Sequence, residues 1–196
     1  MDGRYDDDKS LVFVAGQTRT QTITNVGQDV TIPLLSIRIA PSVDNGLTGI
    51  LGAREIINRM QLTLRSMSCQ TTGTNMVFLI SLRLNGRVST GTFNSVGGSS
   101  LAQVAYHGAG ATIQGGENVF GFYTNTPGVS AQDLSTVRDI GNSILGGGTT
   151  NTCPTLASAL NLYPDGPDIL TICATNITAV TTNSVNARIS WTEAQA

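Results

Sequence analysis

Charge is scarce in this chain. Only 12% of its 196 residues are Asp, Glu, Lys or Arg, about half the usual share. Beyond the first nine positions acidic and basic residues balance at nine each. A neutral body with scattered arginines offers no continuous basic stripe for a phosphate backbone, which argues against nucleic acid as a partner. Long apolar runs are also missing. Stretches such as "MVFLI", Met76 to Ile80, are far too short to span a bilayer as a helix, so no membrane partner is expected. The acidic start "MDGRYDDDKS" is opposite in sign to a secretory n-region, and synthesis in a cytoplasm is the expectation.

Cysteine and histidine are equally sparse. Cys69, Cys153 and Cys173 are odd in number and widely spaced, with no CxxC pair. Buried free thiols are therefore expected, with no metal and no cofactor. A disulfide would need an oxidising compartment for which the sequence carries no address. By the same logic the one sequon, Asn176-Ile177-Thr178, reads as a plain turn.

What the chain does have is Thr, Ser, Asn and Gly beside a 40% hydrophobic content. Thr favours the pleated backbone, while Asn and Gly accept the positive φ of tight turns. A chain of this length buries about 70% of its unfolded surface as one domain, enough for a core of its own. The expectation is an all-β fold: a single antiparallel β-sandwich, with the jelly roll among its forms, and long Gly-rich loops. It occupies residues 10–196. Residues 1–9, with four Asp against Arg4 and Lys9, form an acidic N-terminal arm or junction, because clustered like charges resist packing.

Along the chain, "SLVFVA" reads as one strand, and "TRTQTITNVGQDVTIPLLSIRIA" as two more separated at Asn25 to Asp29. "LGAREIINRMQLTLRSMSC" fits both a helix, with Ile56, Ile57, Met60, Leu64 and Met67 on one face, and a strand with Met60, Leu62 and Leu64 inward. A strand over about Ile57 to Ser68, paired with Met76 to Leu84 across "QTTGTN", is preferred because the helix leaves Leu62 outside. Asn85-Gly86 signals a type I′ hairpin. "TLASALNLY", Thr155 to Tyr163 behind Pro154, is the best helix candidate. "DILTICATNI" and "SVNARISWTEA" read as a closing antiparallel hairpin, with Val185, Ala187, Ile189 and Trp191 on one face.

Chemistry is thinly signalled. His107 in "AYHGAGA", the only histidine, must carry any His-dependent mechanism, with Ser99 and Ser100 as nearby hydroxyls. "GGSSL" lacks the G-x-S-x-G elbow, and a loop or surface histidine is the favoured reading. The glycine clusters "GAGATIQGG" and "ILGGGTT" match neither dinucleotide nor phosphate loops. Asp6 to Asp8 lack the spaced oxygens of a calcium loop. Asp165-Gly166-Pro167-Asp168 reads as a tight turn entering a strand. No catalytic, cofactor-binding or metal site is expected, and the chain is not read as an enzyme.

Several phrases matter together: "DGRYDDDKSLVFVAGQTRT", "LLSIRIAPSVDNG", "REIINRMQLTL", "GGSSLAQ", "VRDIGNSILGGG", "YPDGPDILTICATN" and "ARISWTEAQA". In this order they resemble a domain of virion structural proteins of large tailed phages, especially cyanophages, where it looks like the C-terminal part of longer polypeptides. The resemblance spans nearly the whole chain and transfers no catalytic residue. It implies an assembly or decoration module of head, neck or tail. Such a module is made in the host cytoplasm, located in the virion, and partnered by copies of itself and other virion proteins in a symmetric homo-oligomer. The alternative is a receptor- or glycan-binding module of a tail fibre or spike, in which Tyr106, Tyr123 or Trp191 would stack on sugars. With aromatics at 5% and Trp191 on an apolar strand face, core packing is its better role.

Overall fold

The computed structural model describes residues 11–23, 28–40, 42–44, 56–57, 61–72, 76–96, 100–108, 110–134, 167–178 and 183–195. Among them every regular element is a strand. In chain order these are β1 (Leu11–Ile23), β2 (Thr31–Ile39), β3 (Ser42–Asp44), β4 (Ile56–Ile57), β5 (Gln61–Thr72), β6 (Val77–Leu84) and β7 (Arg87–Val88). There follow β8 (Asn94–Ser95), β9 (Ala102–Tyr106), β10 (Ile113–Gln114), β11 (Glu117–Asn125), β12 (Gly128–Asp133), β13 (Ile169–Asn176) and β14 (Asn183–Gln195). Sheet A has the order β1-β14-β5-β12, and sheet B the order β11-β6-β13-β2-β9-β8. Two small ladders, β3-β4 and β7-β10, complete the set. All pairings are antiparallel.

The long strands β1, β2, β5, β6, β11, β12, β13 and β14 alternate between the sheets at every step but one, the passage from β6 to its neighbour β11. This interleaving, with first beside last in sheet A and second beside second-to-last in sheet B, is the double Greek key of a jelly roll. The chain between β6 and β11 adds β9 and β8 to sheet B beyond β2. The expected antiparallel sandwich is what folds. Its core is one cluster: Leu62, Leu64, Met67, Val185, Ala187, Ile189 and Trp191 of sheet A meet Ile37, Ile39, Phe78, Ile80, Leu82 and Ile172 of sheet B.

The segment that fitted two templates is a strand with a bulge. Leu64 lies opposite Trp191 and Ser66 opposite Ser190, which leaves Arg65 as an extra residue. Its carbonyl accepts the amide of Leu134 at 2.8 Å. The inward series therefore runs Leu62, Leu64, Met67, Cys69 and Thr71, with Arg65 and Ser66 both exposed. A three-residue step inside a two-residue period imitates a helix, and a bulge is what inserts it.

Pairing departs from the expected hairpins. β5 pairs with β14 and β12, and not with β6, which lies in the other sheet between β11 and β13. Leu62 and Leu64 share the core with Phe78, Ile80 and Leu82 across the sandwich instead of within one sheet. Likewise β13 and β14 belong to different sheets. An apolar face is buried equally well against an in-plane neighbour or against a sheet about 10 Å away, so alternation does not choose between them. "LVFVA" and "TRTQTI" belong to the single strand β1, in unbroken register with β14; Ser10 lies outside the described residues. Asn85-Gly86 makes no β6-β7 hairpin, because β7 pairs with β10. Of the two only Asn85 has positive φ, 55°, whereas type I′ requires both.

The helix expected at Thr155 to Tyr163 and the acidic arm 1–9 lie outside the described residues, as do Cys153, Ser99 and Asp165-Gly166.

Leu62→Asp should lower stability by more than ~2 kcal/mol, since a carboxylate between the sheets has no partner, while Gln70→Asp on the exposed side of β5 should cost under ~1 kcal/mol. Denaturant titration checks this, and equal midpoints for the two variants would refute the register of β5.

Candidate functional site

Polar side chains gather where sheet B is buried on both faces. Eight of the nine residues of β2 are buried, and all eight of β13. Since Ile37 and Ile172 point into the sandwich, their alternates Ser36, Arg38 and Thr171 face the other way, yet are 1%, 0% and 0% exposed. The strand alternation of Ser36 and Arg38 with Ile37 and Ile39 was legible, but not that both sides would be covered. Part of the cover comes from the chain beyond β7. Phe93 packs with Ala105 and Ile169 in a second small cluster, and the Arg38 guanidinium stands 4.1 Å from the Phe93 ring centroid, a cation-π contact in a dry setting. Arg38 Nε also donates to Gln103 Oε1 at 2.9 Å.

His107 lies in the same layer. It follows the end of β9, as the loop reading expected, but is 0% exposed, which corrects the expectation of a surface histidine. Its backbone amide extends the β9 ladder by donating to Leu34 O at 3.1 Å. One ring nitrogen, Nδ1, is 2.6 Å from Thr90 O, and a carbonyl can only accept, so Nδ1 carries the hydrogen. In the neutral ring Nε2 then accepts from Ser36 Oγ at 2.7 Å, and Ser36 accepts in turn from Thr171 Oγ1 at 2.7 Å. A single tautomer satisfies the whole chain of hydroxyls. Gly91 closes over the ring: its φ is +134°, and a Cβ there would meet His107 Nδ1 at 2.7 Å.

By geometry alone Ser36 and His107 are a nucleophile and its base, with the ring oriented by a third group. Reach decides against that role. With both residues at or below 1% exposure and Gly91 against the ring, no acyl group can approach Ser36 Oγ. The arrangement pins the Thr90-Gly91 segment to sheet B. Sequence proximity had offered Ser99 and Ser100 as partners of His107; the fold instead brings Ser36, 71 residues away.

Ser100 serves a different centre. Its hydroxyl donates to Glu193 Oε1 at 2.5 Å, and accepts from Ala102 N at 3.2 Å. Trp191 Nε1 donates to the same carboxylate oxygen at 2.7 Å, while Leu101 N donates to Oε2 at 2.9 Å. Glu193 is 0% exposed, and these donors meet the requirement of a buried carboxylate. It ties β14 of sheet A to the chain entering β9 of sheet B. Nothing in "SWTEA" announced this, although an acidic residue in phase with Trp191 and Ile189 on the inward face was the available signal.

The remaining residues singled out by sequence have structural partners. Asp168 Oδ1 accepts from Asn85 Nδ2 at 2.7 Å, and Asn85 Oδ1 accepts from Ile169 N at 2.8 Å, so Asn85 holds the entry to β13. Asn176, expected in a plain turn, is instead the last residue of β13 and 1% exposed; its Oδ1 accepts from Thr178 N at 3.1 Å, a local side-chain turn where the strand ends. Cys69 and Cys173 are buried and free. Burial pushes both thiols up to about 12 from 9.0, with Arg83 pulling Cys173 the other way to a lesser extent. Trp191 is in the core, and the exposed Tyr106 and Tyr123 sit on β9 and β11, at opposite sides of sheet B. Among the described residues no cluster of three His, Cys, Asp or Glu could hold a metal ion, and no helix is long and apolar enough to cross a membrane.

No protein-family model and no curated protein matches the chain. Among solved structures, the capsid of Penaeus stylirostris densovirus is 9% identical, with 95% of this chain and 84% of that one covered at a TM-score of 0.26. The full particle of Israeli acute paralysis virus, heated to 63 degrees, is 10% identical, with 100% of this chain and 75% of that one covered at 0.28. Likenesses at these scores carry no argument about what this chain does.

Two outcomes follow from the buried groups. Glu193→Ala should cost about 3 kcal/mol, because the Ser100, Leu101 and Trp191 donors all lose their acceptor, and the tryptophan emission should shift; unchanged stability would refute the staple. For the thiols, a folded value raised above the unfolded one favours the neutral form. Their contribution is therefore full below pH 9.0 and lost as pH rises towards about 12. A Cys153→Ser chain should accordingly resist a thiol reagent at pH 8 until unfolded, and rapid native labelling would contradict the burial.

Proposed function

We propose that this chain is a virion structural protein, an assembly or decoration module of the head, neck or tail of a large tailed phage, working without enzymatic activity. The observation that carries the reading is the strand order, β1-β14-β5-β12 against β11-β6-β13-β2. Jelly rolls of this order recur in viral shells and in lectins. That is an argument by fold-level analogy, and two further features support it. The phrases from "DGRYDDDKS" to "ARISWTEAQA" resemble phage virion proteins in order and spacing. The Ser36–His107 pair is buried beneath Gly91 and serves to hold a segment in place.

The glycan-binding alternative has less to stand on. A sugar needs a convergent aromatic platform with polar groups beside it, whereas Trp191 is buried and Tyr106 and Tyr123 are separated by the width of sheet B.

Quantitative mass spectrometry of purified particles should find this chain in a fixed integer ratio to the major shell or tube protein. Its absence from particles that package and infect normally would sink the virion reading.

A further inference from the structure

The Asn85-Gly86 pair signals a hairpin in the sequence but is put to another use in the fold. Asn85 takes a positive φ of 55°, and its main-chain amide donates to Ile169 O at 2.7 Å. Its side chain is held at both ends: Oδ1 accepts from Ile169 N at 2.8 Å, and Nδ2 donates to Asp168 Oδ1 at 2.7 Å. One asparagine thus occupies both main-chain polar groups of Ile169. Gly86 beside it is buried. A Cβ on Gly116 would meet the Gly86 nitrogen at 2.6 Å and its Cα at 2.7 Å, so main chain lies against main chain with no space for another carbon.

Asparagine followed by glycine is also the pair most open to deamidation, because glycine's unhindered backbone lets its nitrogen reach the preceding side chain. In that reaction the Gly86 nitrogen attacks Asn85 Cγ and a C–N bond forms. Its proton passes through solvent to Nδ2, which departs as ammonia. Water then opens the succinimide at either carbonyl, leaving aspartate or isoaspartate at position 85. The fold opposes each part. Attack makes the planar Cγ tetrahedral, so Oδ1 and Nδ2 must both leave their partners. The leaving nitrogen must gain a proton while it donates one to the Asp168 carboxylate, and the attacking nitrogen lies against Gly116. Unfolding removes all three restraints.

Neither product suits the native site. Aspartate puts a second carboxylate where Nδ2 stood, 2.7 Å from Asp168 Oδ1, so repulsion replaces a donated hydrogen. Isoaspartate adds a carbon to the main chain next to Gly86, where Gly116 leaves no room. We propose that Asn85-Gly86 is a deamidation site that the fold holds closed and unfolding opens, and that the modified chain is rejected at the entry to β13. The inference is independent of the virion reading.

Trypsin cuts after Arg83 and Arg87, which releases Leu84 to Arg87 as one peptide whose deamidation mass spectrometry counts. The purified full chain is incubated in mildly alkaline buffer, native or in guanidinium chloride, and sampled over days. Asn45-Gly46, the other such pair in the chain, supplies the reference rate in denaturant. Asn85 should react there as fast as Asn45, and in the native chain slower by about tenfold or more, because reaction must await local opening. Equal rates for Asn85 in the two states overturn the proposal. Asn85→Asp reproduces one product, and its denaturation midpoint should fall below the parent's; an unchanged midpoint also overturns it. Asp168→Asn should lower the midpoint of the parent and raise that of Asn85→Asp, whereas a change of the same sign in both refutes the clash of carboxylates. Should Asn85→Asp not fold, a parent chain aged in denaturant and then diluted decides. Its refolded fraction should be depleted of modified Asn85 relative to the fraction left unfolded, and an even distribution refutes rejection at β13.

Discussion

Burial of both faces of β2 and β13 is the constraint on which the rest of this molecule depends. A strand in a simple two-layer sandwich turns one face to water, where Ser, Thr and Arg need no partner. Here the face away from the sandwich is closed as well, so Ser36, Arg38 and Thr171 find their partners within the protein, although Arg38 Nη2 has no hydrogen-bond acceptor among the described residues. The hydroxyl chain ending on His107, and the Arg38 contacts with Gln103 and Phe93, are the response. The His107 end of the hydroxyl chain and the Arg38 contact with Phe93 hold only if the chain after β7 returns over sheet B with Thr90 O, Gly91 and Phe93 in place. The cover and the polar layer beneath it thus specify one another. An apolar layer of equal volume would pack well, but would accept the covering segment in more than one register, whereas directional bonds admit one.

The all-β character was legible because Thr, Asn and Gly dominate the polar residues and because strand periodicity is local. β13 and β14 could be read directly: "DILTICATN" is continuous, as befits a strand buried on both faces, and Val185, Ala187, Ile189 and Trp191 alternate. What could not be read is which strands are neighbours. In a jelly roll successive strands mostly cross to the opposite sheet, so short connections such as "QTTGTN" imitate hairpins. The same reasoning explains the site. Ser36, Thr171 and His107 come together from β2, β13 and the end of β9, over separations of 135 and 71 residues, which no local pattern encodes. Asn85 shows a middle case: the positive φ was legible, but its use in holding Asp168 and Ile169 was not.

Glu193 and His107 illustrate how titratable groups enter a core without becoming chemistry. Both are buried, both have hydrogen-bond partners in place, and each joins segments distant in sequence. Catalysis asks for the opposite condition, a group whose best partner is absent until substrate arrives. Ser36 already has two partners at 2.7 Å. A nucleophile so well satisfied, under a glycine that leaves no room for a methyl group, is a structural element.

The low charge of the chain fits the same physics at its surface. Bringing two protein surfaces together removes water from both, and ionised groups resist this far more than hydroxyls and amides do. On the outward face of sheet A the described residues include Thr63, Ser66, Ser68, Gln70, Asn186 and Ser190 beside the charged Arg188 and Asp133. Such a face is inexpensive to dry wherever hydrogen-bonding groups of a neighbour replace the water. A surface made mainly of lysine and glutamate would keep copies apart in solution. With 12% charged residues against 40% hydrophobic, this chain draws most of its polarity from hydroxyls and amides, which hydrate well but release water at modest cost. Charged residues are depleted at the cores of protein interfaces for the same reason, so scarcity of charge is compatible with the proposed assembly role.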